Sequence, residues 1–440
     1  MLKEINKSVL KIAGPSILAN ITVPLVGMVD LAISGRLGDA AMIGGIAIGT
    51  MFFDLLYWNF GFLRVGTAGI TAQAYGRGDL RDSVRTLEQA LSTSFISALL
   101  IISIQYLFLD AAFLIVDASP KVSSIAREYF LIRVWAAPAT LTLFAFKGWF
   151  LGMQDAKSPM AADITVNAVN ALLSYLLAIV FKMGISGIAL GTVISQYSGL
   201  ILSVSVFFIK YKNLFGYFHL RDSLQLDKLK VFLRHGGNLM LRSISFLLIY
   251  SGYTALSAKY GDTLLAVGTI VMKLMLLYSY FIDGFAYAGE ALSGRFIGEK
   301  NGRSLRETVK ILFYWSAGIG LVSSIIYMAA GDFLFKIMTN NSIVLNASRE
   351  FLPWLIIMPI VSCIGFMWDG IYIGATATVS LRNTMFLSAV AFFAVYYITV
   401  PFTGFHALMA GYFAHLIVRT FLMTLNAKKE IYGRCPELIS

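Results

Sequence analysis

Two carboxylates sit where carboxylates are expensive. Asp30 lies inside an apolar run from Ile12 to Ile33, and Asp369 lies in FMWDGIYIGAT between Trp368 and Gly370. An ionisable group at membrane depth costs about 2.5–3.5 kcal/mol on insertion scales, so its retention points to function. Asp30 shares a helical face with Gly27 and Ser34 at spacings of three and four. A carboxylate there can take up a proton or a cation, because burial penalises its charged form. Arg64 in the next apolar run is the competing structural partner. Pro15 and Pro24 sit in the same run, and a proline inside a helix removes a backbone hydrogen bond and bends it. A bendable helix with a buried acid reads as an ion switch.

A second group falls in the later half. Asp283, Tyr287 and Glu290 recur at i, i+4 and i+7, one stripe of one helix. Two acids two turns apart could wall a cation site, with solvation at a helix end as the plainer reading of Glu290. Asp369 has Trp368 beside it and Tyr372 one turn on, a setting for a lipophilic cation attracted to ring faces. The plainer reading pairs Asp369 with Arg242 or Lys273. Asn170, Ser174 and Thr192 are polar groups on apolar segments, where such residues usually hydrogen-bond between helices unless they meet Asp30. His406 and His415 read as packing rather than as a proton relay. Cys363 and Cys435 offer neither a disulfide framework nor a metal cluster. No Walker A loop, HExxH or GxSxG is present, so neither ATP nor a hydrolytic triad supplies the chemistry. An ion gradient is the expected drive.

The elements that must position these residues are membrane helices. Of the 440 residues 58% are hydrophobic and 13% charged, with a mean hydropathy of +0.75. A soluble domain would carry about 25% charged residues. The pattern predicts an all-α polytopic membrane protein with spans near 10–34, 41–70, 86–110, 124–150, 160–181, 186–209, 235–257, 263–292, 308–330, 351–373, 384–402 and 405–425. The basic N-terminus leads into the first span without a signal-peptide cleavage pattern. About 22 Lys and Arg fall on one side of these spans and about 7 on the other, which places both termini in the cytoplasm. That asymmetry also accounts for the net charge of +11 without nucleic acid.

The longest polar link divides the chain into 1–215, a linker 216–234 and 235–440. Across it Gly38-Asp39 recurs as Gly261-Asp262; Gly76, Arg81 and Thr86 as Gly298, Arg303 and Thr308; and Pro138, Gly148 and Gly152 as Pro359, Gly370 and Gly374, all at offsets of 221 to 223. Six helices per half return the chain to the side it left. The halves are then two parallel six-helix bundles related by pseudo-two-fold symmetry, the build of a rocking transporter.

PLVGMVDLAISGRLGD, GTAGITAQAYGRGD, GIALGTVISQ, DGFAYAGEALSGRFIG and WDGIYIGAT together resemble the multidrug and toxic compound extrusion (MATE) family, in its DinF-like branch. The resemblance implies alternating access between two bundles and export of organic, often cationic compounds in exchange for protons or sodium. It maps the family's bent first helix and its acid onto Pro15 and Asp30, and the polar partners onto Asn170 and Thr192. The helix-8 acids map onto Asp283 and Glu290, and the helix-10 acid onto Asp369. Some members have an aspartate four residues after the asparagine; this chain has Ser174 there. The expectation is a bacterial inner-membrane monomer without cofactor or resident metal (sodium being the one metal ion considered at Asp30), handling small organic substrates and no nucleic acid. A lipid-linked oligosaccharide flippase is the alternative. It would need a basic cavity, for which Arg64, Arg133, Lys147, Arg242 and Lys273 are the candidates. A membrane-embedded enzyme would want a clustered nucleophile and base, which the sparse His and Cys do not provide.

Overall fold

The computed structural model describes residues 2–36, 40–116, 118–219 and 226–435. Every regular element among them is helical, as the absence of period-two alternation requires. The first half comprises α1 (Leu2–Arg36), α2 (Ala40–Phe60), α3 (Phe62–Gly76), α4 (Leu80–Ser103), α5 (Gln105–Ile115), α6 (Pro120–Arg133), α7 (Ala137–Gly152), α8 (Lys157–Tyr175) and α9 (Gly184–Lys210). The second comprises α10 (Leu226–Ala258), α11 (Asp262–Gly298), α12 (Gly302–Met338), α13 (Ser342–Arg349), α14 (Leu352–Gly374), α15 (Thr378–Thr403) and α16 (His406–Glu430).

Eleven segments among the described residues are long and apolar enough to cross a bilayer, from 23 to 37 residues. At 1.5 Å per residue about 20 suffice for the hydrocarbon core. The 35-residue α1 makes the twelfth, so the twelve expected spans are all helical. Several are longer than the apolar windows suggested, because polar residues continue a helix past the lipid. The linker expected over 216–234 is shorter for the same reason: α10 already begins at Leu226. Two spans are interrupted. α2 and α3 are separated by a turn at Gly61, and α6 and α7 by a 3₁₀ turn at Val134–Ala136 just ahead of Pro138, which cannot donate into an α-helical ladder. The fifth span ends in a π-helical stretch, Leu176–Val180, against which Gly187 of α9 packs backbone to backbone. Large apolar side chains such as Phe402, Leu114 and Ile209 point outward, as a lipid-facing surface requires.

The chain forms two compact units, one of Leu18–Gly236 and one of Met1–Ile17 with Gly237–Ser440. The division falls inside α1, which runs unbroken through Pro15 and Pro24. The first turns of α1 are held in the second unit by Trp315, whose indole donates to Asn6 Oδ1 at 2.7 Å, and by Gly284, where an added Cβ would meet Ile17 at 2.4 Å.

The internal repeat is written in the backbone. Among the described residues, six of the eight in the left-handed region form pairs 222 apart: Gly78 (φ 72°) and Lys300 (56°), Gln154 (63°) and Thr376 (54°), Lys182 (57°) and Gly404 (56°). Four of the six carry it without glycine, so the chain geometry and not the residue type fixes these corners. Asp79 and Asn301 cap α4 and α12 through the amides of Asp82 and Ser304. In the first unit a Cβ on Gly148 would lie 2.2 Å from the Arg64 carbonyl; in the second, one on Gly370 would lie 2.0 Å from that of Ala286. Gly152 and Gly374 repeat the contact one turn on, against Thr71 and against Ser293 with the Glu290 carbonyl. These are small-xxx-small helix contacts, set by close packing in the absence of a hydrophobic drive between helices. The Gly38-Asp39 repeat lies outside the described residues.

Candidate functional site

The unit Leu18–Gly236 contains a cavity of about 590 Å³. Its walls follow from helical periodicity. α2 contributes Ile46, Ala47, Thr50, Met51 and Asp54, α8 contributes Asp163, Val166, Asn167 and Asn170, and α9 contributes Thr192, Ser195 and Gln196, each set at spacings of three and four. Asp30 enters from α1, Arg133 from the end of α6 and Lys147 from α7.

Small residues bring the walls close. Gly191 sits where a Cβ would be 2.7 Å from the Ser174 amide, so α9 lies against α8 and Asn170 Nδ2 donates to Thr192 Oγ1 at 3.0 Å. Gly49 leaves room for the Tyr129 ring on α2. Asn167 Nδ2 donates to Thr22 Oγ1 at 2.5 Å, tying α8 to α1 below Asp30.

Asp30 is 8% exposed, and the Ser174 hydroxyl is within hydrogen-bonding reach of its carboxylate. The cation facing it is Arg133, not Arg64; the same guanidinium also faces Asp54. Arg133 is fixed by neutral groups: it donates to Tyr129 Oη at 2.8 Å and to Thr50 Oγ1 at 3.4 Å, and lies over the Phe53 ring at 4.7 Å. Lys147 is paired with Asp163. Asp30, Asn170 and Thr192, the residues expected to couple the ion, therefore share one cavity. Arg133 was visible in the sequence as an intramembrane charge, but the groups it meets were not, since Thr50 and Asp54 lie 83 and 79 residues from it in the chain. Asn167 carried no signal beyond being polar.

The second unit arranges its charges differently. Asp369 of α14 is held between Arg242 of α10, at 2.7 Å, and Arg419 of α16, which binds the same carboxylate oxygen. Arg419 is 2% exposed and sits between Phe246 and Phe366, 5.7 and 5.3 Å from the ring centroids. Of the basic residues weighed against Asp369, Arg242 is the one it meets, while Lys273 is exposed. Tyr372 does not offer its ring to a cation beside Asp369; it is buried and its hydroxyl donates to the Met423 carbonyl at 2.5 Å. Trp368 likewise donates to Thr424 at 2.9 Å, so both aromatics tie α14 to α16. Asp283 and Tyr287 are half-buried, and Asp283 acts electrostatically on Arg419. Glu290 is 1% exposed rather than solvated at a helix end, because Gly374 seals α14 onto α11 at its level. His415 is buried with Nδ1 on the Tyr412 carbonyl, and His406 accepts from the Trp354 indole.

No cluster of three or more His, Cys, Asp or Glu side chains with metal-binding geometry occurs among the described residues. The arrangement suits reversible binding of small ions and cations rather than bond making.

A model of the MatE family matches residues 15–176 and 239–403, one segment in each half of the chain. The chain is 33% identical over 420 residues to the DNA damage-inducible protein F of Escherichia coli K12, spanning 95% of this chain and 91% of that one. It is 24% identical over 379 residues to the probable multidrug resistance protein NorM of Oceanobacillus iheyensis, spanning 83% and 82%. The crystal structure of a MATE protein in its bent conformation has the same fold, with a TM-score of 0.91 at 19% identity over 100% of this chain and 99% of that one. The twelve spans, the paired halves and the charged cavity thus belong to a membrane transporter and not to an enzyme. This chain is a member of the multidrug and toxic compound extrusion (MatE) family.

Proposed function

We propose that the protein is a secondary multidrug antiporter of the bacterial inner membrane, acting as a monomer with both termini cytoplasmic. It exports amphiphilic organic cations by alternating access in exchange for protons, with sodium as the other ion Asp30 can accept. One observation carries the reading: a single cavity places the shielded carboxylate of Asp30 beside an apolar wall of Ile46, Ala47, Met51 and Val166 and a hydrogen-bonding wall of Asn170, Thr192 and Gln196. A lipophilic cation needs all three: negative charge, apolar surface and a few polar contacts. Ion and substrate alternate at Asp30, because neutralising the acid removes the field that holds the cation. The lopsided Lys and Arg distribution supports the orientation.

The flippase reading is less well served. Of its five basic candidates, Arg133 and Lys147 line the cavity, but Asp30, Asp54 and Asp163 line it too and Lys147 is already neutralised.

The test is efflux of rhodamine-type dyes from proteoliposomes with proton and sodium gradients imposed separately. Wild type is expected to respond to the proton gradient and Asp30→Asn to respond to neither. Gradient-driven efflux by Asp30→Asn at the wild-type rate overturns the assignment.

A further inference from the structure

The cavity of the first unit can be counted as a charge. Five ionisable side chains that are charged at neutral pH line it: the acids Asp30, Asp54 and Asp163 and the bases Arg133 and Lys147. Lys147 and Asp163 cancel as an ion pair. The phenol of Tyr129 faces Arg133 and is neutral at working pH. What remains is one guanidinium between two carboxylates, both of which act on it across the cavity. Neither carboxylate forms an ion pair among the described residues, and Arg133 is anchored instead by a phenol, a threonine and an aromatic face. Because its anchors are neutral, Arg133 stays in place whether or not either acid is protonated. It is a fixed positive charge belonging to the site.

We propose that Arg133 is a specificity-determining residue: it cancels one of the two free acids, so the cavity offers one net negative charge and holds one positive charge at a time. This deepens the antiporter reading and rests on it. A proton, a sodium ion or a monovalent organic cation each satisfies the count, and each excludes the others. Exchange of one proton for one monocation is then electroneutral. A dication leaves one charge unmatched in the cavity and is rejected. Removing Arg133 exposes both acids and changes the count from minus one to minus two; removing Asp54 as well returns it to minus one.

The experiment uses the full chain in proteoliposomes under a fixed pH gradient, with tetraphenylphosphonium as monocation and methyl viologen as dication. A potassium–valinomycin potential is set to zero or imposed. Wild type is expected to move the monocation at least about tenfold faster than the dication, the order of selectivity one unmatched charge produces in a confined site. The imposed potential should change its rate by less than about twofold. In Arg133→Gln the preference should fall by about tenfold and the rate should become sensitive to potential. Arg133→Lys, which keeps the charge, should behave as wild type, and Arg133→Gln with Asp54→Asn should recover the preference. Asp54→Asn alone tests the same count from the other side, and tests it even if Arg133→Gln does not assemble: it brings the cavity to zero and should lower monocation transport about tenfold or more. Asp30-dependent transport that does not distinguish the two cations overturns this inference alone, as does an unchanged rate in Asp54→Asn. Transport that is independent of Asp30 overturns the antiporter reading beneath it.

Discussion

The two units are built on one scaffold and charged in opposite ways. In each, a glycine pair on the fourth span of the half lets its backbone settle on the second span: Gly148 on Arg64 and Gly370 on Ala286. In each, a buried serine bridges the third span to a carbonyl of the fourth: Ser94 to Leu141 at 3.0 Å and Ser316 to Cys363 at 2.8 Å. Yet the first unit keeps Asp30 and Asp54 apart from its arginine around a cavity, while the second packs Asp369 directly between Arg242 and Arg419. The difference teaches that backbone close packing fixes the bundle and the ionisable residues are free to diverge on it. An acid left without an ion pair can exchange its counter-ion. An acid clamped by two guanidiniums serves as a joint between three helices.

The strongest way to break this contrast is to neutralise both acids. Asp369→Asn takes the shared carboxylate away from buried Arg419 and half-buried Arg242, and removing one partner from such a cluster costs about 3–5 kcal/mol. Thermal unfolding of the detergent-solubilised protein should show a large loss of stability. Asp30→Asn should shift stability by less than about 1 kcal/mol, since no ion pair is lost, while it abolishes coupling. Replacing the whole cluster by Arg242→Met, Asp369→Leu and Arg419→Met should recover much of the lost stability, because apolar residues of similar volume replace such pairs without penalty. If Asp369→Asn is as stable as Asp30→Asn, the second unit's acid is not a joint.

The shared scaffold is tested next. Gly148→Ala and Gly370→Ala each push a methyl into a backbone carbonyl, at 2.2 and 2.0 Å. Overpacking of this kind costs about 1–3 kcal/mol, and because the contact is with main chain there is no side-chain rotamer to absorb it. The two losses should agree within about 1 kcal/mol. A tolerated change at one site and not the other would show that the halves pack by different rules.

Much of this scaffold was legible in the sequence because it is written locally. Apolar windows give helices, Lys and Arg give sides, and Gly148, Gly152, Gly370 and Gly374 gave the repeat. The convergence of Asp30, Asn170 and Thr192 was legible only through family resemblance, since nothing in their spacing brings α1, α8 and α9 together. What could not be read was which charge meets which. Arg64 was the competing structural partner for Asp30 because it lies in the next apolar run, yet its carbonyl is the surface on which Gly148 lies and the cation facing Asp30 comes from α6. Asp369 and Tyr372 looked like a cation box because an acid beside aromatics has that composition. The aromatic polar atoms are instead spent on carbonyl and hydroxyl groups of α16. Pairing between distant helices is decided by rotation about each helix axis, which periodicity leaves open.

A pH dependence should separate the units. Asp155, in the turn between α7 and α8, is buried, which alone would raise its pKa. Lys210 at 2.6 Å and Ser158, through its hydroxyl at 2.5 Å and its amide at 3.2 Å, outweigh that and hold the carboxyl below the usual carboxylate range. The residue 222 further on is Ala377, so the second unit has no counterpart. A depressed pKa contributes stability that is present above the unfolded value of about 3.9 and is lost as pH falls through the folded value. Asp155→Asn should therefore cost stability at pH 7, by about 1 kcal/mol because Lys210 is largely exposed to solvent. The gap from wild type should close as the pH is taken below about 4. Unfolding midpoints at pH 7 and in acid measure it. A gap that persists in acid would assign the loss to packing.

The finest comparison is between the two serines. Ser94 has one hydroxyl proton and two carbonyls in reach, Ala90 at 2.7 Å within its own helix and Leu141 across the interface at 3.0 Å. Ser316 spends its proton on Cys363 alone, at 2.8 Å. Hydrogen bonds between membrane helices average about 0.6 kcal/mol. Ser316→Ala should cost that much, and Ser94→Ala less, since most of its proton is already committed to α4 and the interhelical share is what the substitution removes. The two variants should therefore differ by a few tenths of a kcal/mol, with the second unit the more sensitive, and by repeated calorimetric or fluorimetric melts on matched samples the order can be resolved. A larger loss at Ser94 would mean that its bond to Leu141 is the dominant one and that the first unit, which must also carry the cavity, depends more on its interhelical bonds than the unit that is pinned by its arginines.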